Sequence, residues 1–76
     1  MLYFKKNNNM YCKLDPSTFT FYEVFVGTTQ VRVLAITEDE NLYNQTYQRM
    51  QAHEFEEGTS AEFEAFLAFA ITRLNP

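Results

Sequence analysis

The run Thr18-Phe19-Thr20-Phe21-Tyr22-Glu23-Val24-Phe25-Val26 reads as a β-strand with no side made for water. Side chains alternate across a strand, so Phe19, Phe21 and Phe25 fall on one face and Tyr22, Val24 and Val26 on the other. A chain of 76 residues holds too little material to cover both faces of a sheet, and the pattern therefore asks for a partner surface.

At this length the expectation is one small domain over residues 1–76. Such a domain buries only about 60% of the surface its unfolded chain exposes, and it needs dense packing, cross-links or assembly to be stable. Cys12 is the only cysteine, which excludes an internal disulfide and fits a small buried hydrophobe in a strand. Dense packing and assembly remain. Eight Phe and five Tyr suit both, because each aromatic ring buries about 150–250 Å².

The first strands are expected at Leu2 to Lys6 and Met10 to Asp15, joined by Asn7-Asn8-Asn9, since Asn tolerates the left-handed conformations of tight turns. Asp15-Pro16-Ser17 breaks the pattern. A second hairpin follows, Thr18 to Val26 and Gln30 to Thr37, connected through Gly27-Thr28-Thr29. If Val26 pairs with Val31, one face collects Thr20, Tyr22, Val24, Val26, Val31, Val33 and Ala35, and this uncharged face is expected to meet the helices. The other face then holds Phe19, Phe21, Phe25, Leu34 and Ile36, with Glu23 and Arg32 close enough to pair diagonally. A loop of odd length would shift the register by one residue and exchange the partners.

Thr37-Glu38-Asp39-Glu40 has the form of a capping box, so a first helix is expected from Glu38 to about His53, with its three leading acids favouring the helix dipole. Thr59-Ser60-Ala61-Glu62 is a second capping box. After it, Phe63, Phe66, Leu67, Ala70, Ile71 and Leu74 recur at helical spacing and define a core stripe. The far side of that helix carries Ala61, Ala65, Ala68, Phe69 and Thr72 without a charge, and a bulky Phe69 there points to a second buried side. The fold predicted is α+β in the order ββββαα: a four-stranded antiparallel sheet of two consecutive hairpins, with two C-terminal helices packed on one of its faces.

Composition narrows the function classes. Ten acids against six bases give a net charge of −4, which opposes sequence-independent nucleic-acid binding. Lys5, Lys6 and Lys13 interleave with Tyr3, Phe4 and Tyr11, as in a single-strand stacking platform, but lysines that keep an edge hairpin soluble explain them more simply. There is no run of about 18 apolar residues and no apolar leader, so no membrane span and a cytoplasmic location are expected, and the Asn44-Gln45-Thr46 sequon reads as helix surface.

Catalytic and cofactor chemistry finds no footing. Two glycines, Gly27 and Gly58, cannot build a phosphate loop. His53 with Glu57 offers too few ligands for zinc, and a nucleophilic pair of Cys12 and His53 would need a third orienting group such as Glu54, with nothing in the sequence to place them together. No catalytic residue, metal or cofactor is assigned, and the chain is read as a non-enzymatic protein. Two readings follow. In the first it is an interaction module, a homodimer or a component of a larger assembly, joined through Phe19, Phe21, Phe25, Leu34 and Ile36 or through Ala61, Ala65 and Phe69. In the second it is an acidic inhibitor or adaptor, of the kind a phage would encode, that docks Glu38, Asp39, Glu40, Glu54, Glu56 and Glu57 on a basic surface of a larger protein.

Overall fold

A computed structural model describes residues 1–52 and 55–74. The elements are β1 (Leu2–Lys6), β2 (Met10–Asp15), β3 (Thr20–Val26), β4 (Val31–Thr37), α1 (Glu40–Ala52), β5 (Glu56–Glu57) and α2 (Ser60–Leu74). They form the expected α+β fold, with a short fifth strand between the helices. The sheet order is β4-β3-β2-β1-β5, and every neighbouring pair is antiparallel.

The turns follow from their residues. Asn7 and Asn8 both take left-handed conformations, φ 57° and 59°, and Asn9 N–H donates to the Lys6 carbonyl to close the first hairpin. In the second hairpin Val26 pairs with Val31, Val24 with Val33 and Tyr22 with Ala35, the register expected for an even-length loop. A Cβ on Gly27 would stand 3.0 Å from the Phe25 ring, so a side chain there would make that ring give way by a few tenths of an ångström.

The helices occupy opposite faces of the sheet, not one shared face. On one face α2 sets Phe63 against Tyr3 (ring centroids 5.9 Å) and Phe66 against Tyr11 (4.4 Å), and its buried Phe63 and Ala70 pack with Val24. On the other, α1 sets Tyr47 against Phe4 (6.2 Å), while Tyr43 meets Phe19 (5.6 Å). Strand pairing explains the split. Phe4 aligns with Cys12, Cys12 with Glu23 and Leu14 with Phe21, so the first hairpin gives the Phe-rich face its own buried residues. Cys12 and Leu14 are fully buried there and need a helix over them. Between the helices β5 pairs along β1, and Gly58 N–H donates to the Tyr3 carbonyl (2.9 Å), which carries the chain around the sheet edge to the second face.

The helix starts also differ from each other. Thr59 and Glu62 cap α2 reciprocally: Glu62 N–H donates to Thr59 Oγ1 and Thr59 N–H to Glu62 Oε1, both at 3.1 Å. α1 begins two residues later than expected, at Glu40, because Thr37 is held in β4 opposite Thr20, where their hydroxyls bond at 3.0 Å. Asp39 is the cap instead and accepts from Leu42 N–H at 2.9 Å, while Glu38 accepts from the buried Thr46 hydroxyl. The expected helix end at His53 lies outside the described residues.

Candidate interaction surface

Most apolar side chains proposed as an interface are placed as the register required, though they are not equally available. Phe21, Phe25, Leu34 and Ile36 share the α1 face of the sheet; the first three are half-buried and Ile36 is exposed. Phe19 is withdrawn from that surface. It takes a left-handed backbone, φ 55°, and packs its ring on Tyr43, a contact that offsets a conformation disfavoured for a bulky residue. Arg32 Nη2 stands 4.0 Å from Glu23 Oε2 and its guanidinium lies over the Phe25 ring at 4.8 Å, so the anticipated diagonal pair is formed at the rim.

On α2 the uncharged far side is open: Ala61, Ala65, Ala68 and Phe69 are all exposed, and Phe69 reaches back only to Phe66 (6.1 Å). Ile71 and Leu74, expected in the core stripe, are half-exposed instead. The dimensions give the reason. α2 starts over β1, where Lys5 Nζ donates to Glu62 Oε2 at 2.6 Å, and crosses toward β4. Three strand spacings cover about 14 Å, whereas the rise from Glu62 to Leu74 is about 18 Å. The last turn therefore runs beyond the strand that ends the sheet.

Beside that overhang lies an apolar groove of about 310 Å³, walled by Tyr22, Val24, Val33, Ala35, Phe63 and Leu67, with Lys13 at its side. Lys13 Nζ sits 4.4 Å from the Tyr22 ring centre and 5.1 Å from that of Phe63. This corrects the expectation of an edge hairpin kept soluble by lysines. β2 is the central strand, Lys5 is bonded to Glu62, and Lys6 lies over Phe55 at 5.2 Å. The bond to Glu62 raises the Lys5 pKa and, reciprocally, lowers that of Glu62.

The acids fall into two groups. Glu38 and Asp39 precede α1 and Glu40 opens it, beside the end of β4, and Glu56 and Glu57 lie in β5 at the opposite sheet edge. The 13 residues of α1 separate them by about 20 Å. Glu54, together with His53 of the ligand pair weighed above, lies outside the described residues. Among the described residues, no three His, Cys, Asp or Glu side chains stand together as a metal-binding group would.

Burial pushes the Cys12 thiol up to about 12, with Glu23 adding to the effect. Burial likewise raises Tyr43, whose hydroxyl has no partner. Neither group is activated for chemistry at neutral pH. No helix among the described residues is long and apolar enough to cross a membrane. No family model matches the chain, and neither a curated protein nor a solved structure matches it.

What reasoning from sequence missed is the bare edge of β4. The signal was present: Val31–Thr37 contains no Pro, Gly or Lys and a single charge, Arg32. It could not be weighed without knowing which strand ends the sheet.

Proposed function

We propose that this chain is a non-enzymatic protein–protein interaction module that works as a homodimer. The observation that carries the reading is the apolar exposure around β4. Val33 is 43% exposed, Ile36 48%, and Ile71 and Leu74 on the overhanging turn of α2 46% and 48%. Val33 and Ile36 stand on opposite faces of β4, so apolar surface is open on both sides of this edge strand; leaving it in water is unfavourable at about 25 cal/mol per Å² and favours a partner there. Closed two-fold assembly is the commonest way such surface is covered.

The groove chemistry supports binding over catalysis, since its walls are aliphatic and aromatic and its one charge is engaged with two rings. A lone buried thiol suits a reducing compartment, and the cytoplasm is the setting we propose. An acidic adaptor would need one continuous negative surface; acids parted by the length of α1 favour it less. Light scattering on the eluted protein tests the reading. A mass near twice 9.0 kDa at micromolar concentration is expected, and a species of 9.0 kDa under those conditions contradicts it.

A further inference from the structure

The β3–β4 ladder shows which backbone groups of β4 take no part in the sheet of the described residues. Gly27 N–H donates to the Gln30 carbonyl at one end, and Glu38 N–H donates to the Phe19 carbonyl at the other. Between these closures hydrogen-bonded and non-hydrogen-bonded pairs alternate, so Arg32, Leu34 and Ile36 are the residues bonded to β3. Val31, Val33, Ala35 and Thr37 occupy the intervening pairs and turn their N–H and C=O groups to the open edge. Val26 confirms the alternation: aligned with Val31, it sends its own N–H the other way, to Asn9 O at 2.9 Å.

The geometry points to a second copy of this chain as the occupant of that edge, the two β4 strands pairing antiparallel about a two-fold axis at Leu34 to make one continuous sheet. This rests on the homodimer reading above and assigns its interface. With Leu34 opposite Leu34 of the second copy, Val33 meets Ala35 and Val31 meets Thr37, so outward-facing groups meet outward-facing groups along the whole strand. A shift of one residue would set them against groups already bonded to β3. Charge fits as well. Arg32 is the only ionised residue of β4, and in this register it faces Ile36 rather than its own copy.

The overhang supplies the third argument. Leu67 lines the groove beside Val33, and Ile71 and Leu74 follow it on the same side of α2, four and seven residues on. The two-fold axis stands perpendicular to the sheet, so the second copy's α2 lies on the same face and its own projecting turn comes back across the seam to meet this one over the added strand. One structure thereby satisfies the bare backbone and the apolar helix end together.

Cysteine cross-linking tests the register. In an antiparallel non-hydrogen-bonded pair the Cα atoms are about 4.5 Å apart, within the span a disulfide bridges. Leu34→Cys is therefore expected to form a covalent dimer under mild oxidation, while the wild type, whose Cys12 is 0% exposed, does not. A mixture of Arg32→Cys and Ile36→Cys should cross-link between the two variants, and Arg32→Cys alone should not. These two exposed positions decide the matter even if Leu34→Cys folds poorly. A wild type that is dimeric by light scattering, with none of these cross-links, overturns the edge pairing and leaves the homodimer standing. A monomeric wild type overturns both.

Discussion

The two edges of the sheet are built in opposite ways. β5 closes one edge with two residues, both glutamate, laid along β1 as the chain passes between its helices. β4 ends the other with seven residues, one charge and no proline, and an apolar helix turn projects past it. Short length and charge are how soluble proteins blunt a strand edge. One side of this molecule uses both devices; the other is long and carries only the single charge of Arg32. In a 76-residue chain, the longer and more apolar edge is the one left bare, and it is there that the proposed homodimer would join.

Substitutions can break this comparison by acting on the fold beneath both edges or on one edge alone. The largest effect is expected from Phe63→Ala, which removes the ring that ties α2 to Tyr3 and shares a cluster with Val24. Unfolding free energy should fall by about 3–5 kcal/mol in urea titrations, and assembly should fail with it because α2 no longer holds its position over β4.

The next effect is pH-dependent and belongs to the core. Cys12 has a folded-state pKa of about 12, above its ordinary value of 9.0, so the folded protein retains a proton that the unfolded chain releases. Its contribution is fully present below pH 9 and is lost as pH rises toward 12, on the order of a few kcal/mol. Cys12→Ala should flatten that alkaline slope in thermal melts without altering assembly at pH 7.

At the open edge, Val33→Lys sets a charge into the seam. It is expected to weaken self-association about 30-fold, or roughly 2 kcal/mol, with little change in the stability of the single chain, since Val33 is already half-exposed. Glu57→Lys at the closed edge should leave association unchanged when both variants are compared by sedimentation equilibrium. Equal responses from the two edges would remove the distinction between them. The smallest effect is at Tyr43, whose buried hydroxyl has no partner. Tyr43→Phe should raise stability by about 1 kcal/mol in urea and leave association untouched.

Local features of this fold were legible in the sequence because their causes are local. Three consecutive asparagines announced a left-handed turn, Thr59 and Glu62 a capped helix, and the β-branched run from Thr20 to Thr37 a hairpin whose register followed from its loop. Features that depend on how the hairpins join were not legible. Cys12 and Leu14 were placed in a strand, but nothing in the residues fixed Leu14 opposite Phe21, and without that pairing the second face had no visible need of α1. The same gap set the lysines on an edge they do not occupy and left Thr37 as a cap when Thr20 holds its hydroxyl. Ile71 and Leu74 kept the core periodicity, yet periodicity cannot say where the sheet beneath a helix ends.

Amide hydrogen exchange, read residue by residue at two protein concentrations, reaches the central claim most directly. Arg32, Leu34 and Ile36 donate within the chain and should be protected at both, whereas Val33 and Ala35 donate outward and should gain protection only when the protein associates. If Val33 and Ala35 exchange as freely in the concentrated sample as in the dilute one, the β4 edge is not where two copies meet.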